Sequence, residues 1–293
     1  LSDISTDDNR KANYGKMAMS SSMGFILGPA LAGLLGATIL GEIIPVGVAI
    51  LISMVALWVI WFKLPESKTD LVQPDLKKFK LRKLFATEQK ECYDVESEDK
   101  RSISSVLKMP NIAFLVLIYF LTFFGFSFFY VSFPMHALKV LQWNAFELGI
   151  FFSVRSGLMI LVQGPLLSVL SDKVTDERLV TFGSFLLVIN FILIGSESVT
   201  TAYIALVFFA LGNGLMWPSY LSILSKSAGK KEQGTVQGVA NGAGSLASIG
   251  GLVLGGWLYG AYGEITFYSA AVLLVVIFLL SFRCYQLKVD SSD

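Results

Sequence analysis

The chain has 293 residues, 54% of them hydrophobic and only 15% charged, with a mean hydropathy of +0.65 and a formal net charge of +1. That balance excludes an ordinary soluble globular domain and fits a polytopic membrane protein. The near-zero charge gives no electrostatic footprint for nucleic acid, and two cysteines, Cys92 and Cys284, make neither a zinc spacing nor a disulfide framework.

Eight apolar stretches long enough to cross a bilayer are predicted at roughly 15–40, 43–63, 111–133, 146–170, 179–195, 202–224, 234–258 and 265–285. The first holds Gly24-Phe25-Ile26-Leu27-Gly28-Pro29-Ala30-Leu31-Ala32-Gly33. In lipid its helix survives glycine and proline because unpaired backbone has no water to turn to. Gly24, Gly28 and Ala32 then form a smooth face, with Gly33 and Gly36 beside them, against which another helix can close.

The segment from Pro65 to Met109 reads as a solvent-exposed linker, with a basic front (Lys77, Lys78, Lys80, Arg82, Lys83) and an acidic back (Glu91, Asp94, Glu96, Glu98, Asp99). A short amphipathic helix around 76–85, its basic face on anionic headgroups, is one reading of its front; a solvated linker is the other. All of the 23 Lys and Arg residues except Lys139 and Arg155 fall on one side of this threading. By the positive-inside rule that side is cytoplasmic, and the loops near Glu42, Lys139, Glu197 and Glu264 face outward.

The third span carries Tyr119, Phe123, Phe126 and Tyr130 at helical spacing, a stripe that either lines a site for flat apolar substrates or packs against a neighbour. His136 follows Pro134 at its outer end, as a proton sensor or an ordinary interfacial histidine. In the fourth span Arg155 lies eight residues past Glu147, about 12 Å of helix and near the bilayer centre. A guanidinium there needs a wet cavity or a partner. Met159 and Gln163 continue its face, and no span offers it an acidic residue. It binds an anionic substrate group, holds a carboxylate elsewhere in the protein, or serves as a structural ion pair.

The second, fifth and eighth spans are almost uniformly apolar and are expected to face lipid, whereas the others carry glycine, proline and polar residues. The sixth offers Asn213, Trp217, Tyr220 and Leu224 on one face. The seventh offers Gln237, Asn241, Ser245 and Ser248, with Gly234, Gly238 and Gly242 alongside. Singly, each polar residue is as well explained by helix–helix contact as by substrate. No phosphate loop, nucleotide fingerprint, metal cluster or nucleophile–base set is present, so neither an enzyme nor a cofactor or metal is expected.

The pattern G-x-x-x-G-P-x-x-[AG]-G at Gly24, Gly28, Pro29 and Gly33 resembles the antiporter motif in the fifth helix of drug:proton antiporters of the major facilitator superfamily. Leu1-Ser2-Asp3-Ile4, Asp8-Asn9-Arg10-Lys11 and Gly15 resemble the end of that family's fourth helix and the loop after it. The sixth and seventh spans resemble its tenth and eleventh helices, with Gly250-Gly251 where the family often has Gly-Pro. Asp172 and Lys173 resemble a degenerate copy of its cytoplasmic gate loop, with Ser168 and Thr175 replacing its glycines.

The resemblance implies an all-α major facilitator fold with about eight transmembrane helices present. Residues 1–64 would end the first bundle, 65–109 link the bundles, 110–287 form the six-helix second bundle, and 288–293 be a cytoplasmic tail; four helices would lie upstream of this fragment. It implies a monomeric inner or plasma membrane exporter of small drug-like molecules, coupled to protons. The cavity candidates are Arg155, Gln163, Asn213, Trp217, Gln237, Asn241 and Tyr130. A symporter or uniporter for an organic anion, sugar or other metabolite, and a non-transporting membrane scaffold, remain as alternatives.

Overall fold

The computed structural model describes residues 23–24, 26–38, 41, 43–63, 103–171 and 173–286, and every regular element among them is a helix. The chain divides into two units, Leu1–Ser20 with Gly47–Ser102 and Ser21–Val46 with Ile103–Asp293. The described part of the first is the bulk of α2 (Ile43–Lys63), an apolar helix without a buried residue. Pro45 falls in its first turn, where the missing N–H has no intrahelical acceptor to lose. Its one described side-chain hydrogen bond, Ser53 Oγ to Ala49 O, returns the hydroxyl to the helix itself.

The second unit contains α1 (Ile26–Gly36), α3 (Ile103–Leu107), α4 (Ile112–Lys139), α5 (Ala145–Leu161), a π turn (Val162–Leu166) leading into α6 (Leu167–Ser171), α7 (Asp176–Leu193), α8 (Val199–Tyr262), α9 (Ile265–Ser281) and a closing 3-10 turn (Phe282–Gln286). Among the described residues six stretches are long and apolar enough to cross a membrane: Ile43–Lys63, Ile112–Lys139, Ala145–Ser171, Val199–Ala228, Glu232–Tyr262 and Ile265–Tyr285. The other two predicted spans are also helical. α1 is described over a shorter length, and α7 opens on the charged run Asp176-Glu177-Arg178.

Helical backbone is continuous through α8, yet α8 serves as the two predicted spans. Phe209, Trp217 and Tyr220 meet α4 at Phe129, Phe123 and Leu115, so this half descends α4. Asn241 meets Tyr119, Ser132 reaches Gly255, and Tyr259 meets His136, so the other half ascends it. The chain therefore reverses between Leu224 and Val236, and α4 is flanked by two antiparallel halves. The predicted linker with its amphipathic segment at 76–85 lies outside the described residues.

The core is aromatic and centred on α4. The Phe129 ring lies 5.1 Å from that of Phe133, 5.7 Å from Phe209 and 6.2 Å from Phe191. In lipid, burying these rings gains little from the hydrophobic effect, so close van der Waals contact must hold the helices together. Glycine permits it. A Cβ on Gly183 of α7 would lie 2.6 Å from Gly212 O of α8, and one on Gly251 2.7 Å from Phe124 O of α4. The predicted face of Gly234, Gly238 and Gly242 meets nothing within 4 Å among the described residues; Gly244, Gly251 and Gly255 make the contact with α4 instead.

The expectation that uniformly apolar spans face lipid is corrected for α9, which buries Phe267, Leu274 and Ile277, and for α7. It buries Leu186, Leu187 and Phe191 and exposes Phe182, Phe185 and Ile192. An apolar helix without periodicity carries no mark of which side meets protein.

Alanine at Gly183 or Gly212 is expected to destabilise the fold by about 1–3 kcal/mol through overpacking. Alanine at Gly238, where space is open, should leave the thermal unfolding midpoint in detergent close to that of the parent protein.

Candidate functional site

The start of α5 is fixed by a capping box. Asn144 Oδ1 accepts from the N–H groups of Phe146 and Glu147 at 2.9 and 3.0 Å, and Glu147 Oε2 accepts from the Asn144 N–H at 2.8 Å. The helix then places Arg155 two turns inside the span, among rings from three helices. Its guanidinium carbon lies 4.9 Å from the Phe209 ring centre, 5.3 Å from those of Tyr130 and Phe152, and 5.8 Å from that of Phe129. Nη2 donates to the Tyr130 hydroxyl at 3.3 Å, while Nε and Nη1 are buried without a hydrogen-bond partner among the described residues.

Magnitudes show why the arginine can sit there. An arginine at the centre of a membrane helix costs about 2.5–3.5 kcal/mol on insertion scales. A ring within about 6 Å returns about 0.5–2 kcal/mol. Four rings can therefore hold the charge without a carboxylate, leaving the N–H groups of Nε and Nη1 open to an acceptor.

One turn further along, Asn213 of α8 donates to Met159 Sδ at 3.6 Å, and its Oδ1 is buried and unpartnered. Gln163 is exposed in the π turn, whose Pro165 cannot donate within the helix; Val162 of the same turn packs against Gly214. Nearer the other end of α4, Trp217 packs edge-on against Tyr119 and Phe123, 5.1 and 5.3 Å between ring centres. The Tyr119 hydroxyl donates to Asn241 Oδ1 at 2.6 Å, and Gln237 Nε2 donates to the same oxygen at 3.3 Å. The seven predicted cavity residues thus separate. Tyr130 of α4 and Asn213 of α8 lie beside Arg155 and Met159 of α5, Trp217, Gln237 and Asn241 form a second cluster around Tyr119, and Gln163 is exposed with its Cγ 3.7 Å from where a Cβ on Gly214 would lie.

The aromatic stripe of α4 divides likewise, Tyr119 and Phe123 going to one cluster and Tyr130 to the other, with Phe126 in the core against Phe191 and Phe209. Sequence reasoning missed Phe129, Phe152 and Phe209. Among 23 phenylalanines nothing in their spacing distinguishes a ring under a guanidinium from any other.

The glycine–proline helix meets α5 through the later part of its motif. A Cβ on Gly149 would lie 2.5 Å from Pro29 O and 2.8 Å from Gly33 Cα, and Ser153 Oγ donates to Ile26 O at 3.0 Å. Gly24 and Gly28, expected on the packing face, have nothing within 4 Å among the described residues. The contact runs from Ile26 through Pro29 to Gly33.

The ends of the helices are tied by polar side chains. His136 is fully buried, which corrects the interfacial reading. Its Nε2 lies 3.2 Å from Ser196 O and its Nδ1 3.3 Å from the Tyr259 hydroxyl. A carbonyl only accepts, so Nε2 carries a proton toward Ser196 O, and Nδ1 shares a hydrogen bond with the Tyr259 hydroxyl. At the opposite end Asp176 Oδ2 accepts from Lys226 Nζ at 2.6 Å and Ser222 Oγ at 2.7 Å, joining α7 to α8. With the Lys226 side chain 56% exposed, that pair is worth about 0–1 kcal/mol. Of the predicted gate residues, Asp172 lies outside the described residues, and Lys173 is in a turn whose N–H donates to Leu170 O.

Comparison with known proteins follows the same lines. The family model described as Major Facilitator Superfamily matches residues 1–252 and again 115–291. Multidrug resistance protein 2 of Bacillus subtilis is 26% identical over 282 residues, covering 94% of this chain and 65% of its own length. A Multidrug resistance protein B homolog of Mycobacterium tuberculosis is 44% identical over 52 residues, 18% of this chain and 10% of that protein. The crystal structure of the human organic anion transporter MFSD10 (TETRAN) superposes with a TM-score of 0.62 at 22% identity, covering 89% of this chain and 61% of that one. The chain therefore spans less than two thirds of the length of each of these relatives.

Valine at Gly149 is expected to lower the thermal unfolding midpoint of the chain in detergent, since both atoms in its way are backbone. Alanine at Gly24 or Gly28 should leave that midpoint within error of the unsubstituted chain.

Proposed function

From the premise that the chain belongs to the major facilitator superfamily, a family of transporters and not of enzymes, we propose that it is part of a secondary active transporter for small amphipathic molecules. The observation that carries this reading is the aromatic box around Arg155, with the guanidinium Nε and Nη1 left without a hydrogen-bond partner among the described residues. Rings bind the flat apolar body of a substrate, and the arginine binds an electron-rich or anionic group on it.

In this proposal residues 1–64 end a first bundle, 65–109 cross between bundles in the cytoplasm, 110–287 are the second bundle, and 288–293 are a cytoplasmic tail. The cation-rich loops face the cytoplasm of a cell or plasma membrane. The monomeric transporter works by alternating access, the α1–α5 contact serving as part of the seal and Lys173 with Asp172 as part of a gate. Export and proton coupling are supported by the glycine–proline motif and by the likeness to multidrug resistance proteins. Arg155 supports a second reading, transport of organic anions by symport or uniport, and the name of the human structural neighbour is in keeping with it.

Replacing Arg155 by alanine in the full-length protein, in everted vesicles, is expected to reduce transport of anionic aromatic substrates at least tenfold and to affect cationic ones far less. Arg155→Lys should restore only part of the loss, because an ammonium lacks the planar fork. Unchanged transport of both substrate classes in Arg155→Ala would refute the site. No transport of any small molecule by the unsubstituted protein would favour a membrane scaffold.

A further inference from the structure

The seam beside Arg155 holds a second buried polar atom without a partner, Asn213 Oδ1. Its amide orientation is set by the contact of Nδ2 with Met159 Sδ; reversing it would put oxygen against the lone pairs of sulfur. Asn213 is four residues past Phe209, whose ring lies 4.9 Å from the Arg155 guanidinium carbon. Met159 is four residues past Arg155. The contacts 155–209 and 159–213 show that α5 and this half of α8 run in the same direction. The two unpartnered groups therefore sit on one seam, one helical turn or about 5 Å apart along it.

Their demands are complementary. The guanidinium nitrogens need an acceptor, and Asn213 Oδ1 needs a donor. A plain carboxylate satisfies only the first. A cation satisfies only the second and is repelled by Arg155.

We propose that this seam selects aromatic anions that carry a hydrogen-bond donor, with the charge at Arg155 and the donor at Asn213 Oδ1. This deepens the Arg155 reading above and rests on it. Of the rings around the guanidinium, Phe129 and Phe209 are buried, and Tyr130, 46% exposed, supplies the apolar surface for the ligand's body, so charge, ring and donor are read at three adjoining places.

The test uses the full-length protein in detergent and measures dissociation constants for benzoate, 2-hydroxybenzoate and 3-hydroxybenzoate by intrinsic fluorescence. The 3-hydroxyl stands clear of the carboxylate and can reach Asn213, whereas the 2-hydroxyl is consumed by its own carboxylate. Binding of 3-hydroxybenzoate about tenfold tighter than the other two is expected, the gain from one hydrogen bond to an otherwise bare acceptor. Asn213→Ala should bring that ratio close to one, and Arg155→Gln should weaken all three acids. Equal binding of the three by the unsubstituted protein, with sensitivity to Arg155→Gln retained, overturns the role of Asn213 and leaves Arg155 standing. Binding insensitive to Arg155→Gln, or no binding of any of the acids, overturns both. The comparison among ligands on the unsubstituted protein decides even if Asn213→Ala fails to fold.

Discussion

Helices in lipid gain almost nothing by turning apolar side chains toward one another, because the surrounding acyl chains are equally apolar. What holds this unit together must be contact closer than lipid can make. The structure supplies it where backbone meets backbone: Gly183 against Gly212, Gly149 against Pro29 and Gly33, and Gly251 against Phe124. Each of these places a helix axis nearer its neighbour than any side chain would allow. The aromatic core fills the space between, and its position follows from those contacts.

The same medium decides which polar groups can be tolerated. Serine and threonine hydroxyls along the helices return their protons to a carbonyl of the preceding turn, as Thr122 does to Ile118 and Ser184 to Val180. His136 satisfies both ring nitrogens across three segments of chain. Against that background Arg155, Asn213 and Thr266 stand out, since among the described residues their buried polar atoms are not all answered, and the first two share one seam. Buried polar groups without partners are rare in folded proteins and each calls for a reason. A ligand that enters the seam is a sufficient one, and the rings explain why the charge survives until it arrives.

The threading is supported by contacts at both ends of the helices. Asp176 with Lys226 and Thr181 with Ser281 bring together residues that the charge pattern assigned to one side. Trp143 with Tyr203 and His136 with Ser196 and Phe267 bring together residues assigned to the other. The reversal inside α8 belongs to the same order: its backbone stays helical while its two halves pass α4 in opposite directions. Six elements of the second unit thus alternate in direction although one boundary between them carries no break in helix.

That the chain is a multi-pass membrane protein was legible in its sequence, and six of the eight predicted spans return as helices long and apolar enough to cross a bilayer. Hydropathy and charge act residue by residue and leave their mark in order along the chain. The sequence also picked out Arg155, because a charge in an apolar run is visible without a partner. It did not show that Phe129, Phe152 and Phe209 surround that arginine, that Asn213 shares its seam, or that Gly33 and Gly149 form the contact while Gly24 and Gly28 do not. Those facts depend on the rotation of each helix about its axis. In α4, α7 and α9 apolar residues run all the way round, so no periodic signal fixes that rotation before neighbouring helices pack. Only the tertiary structure, by bringing particular glycines into register, decided which faces meet.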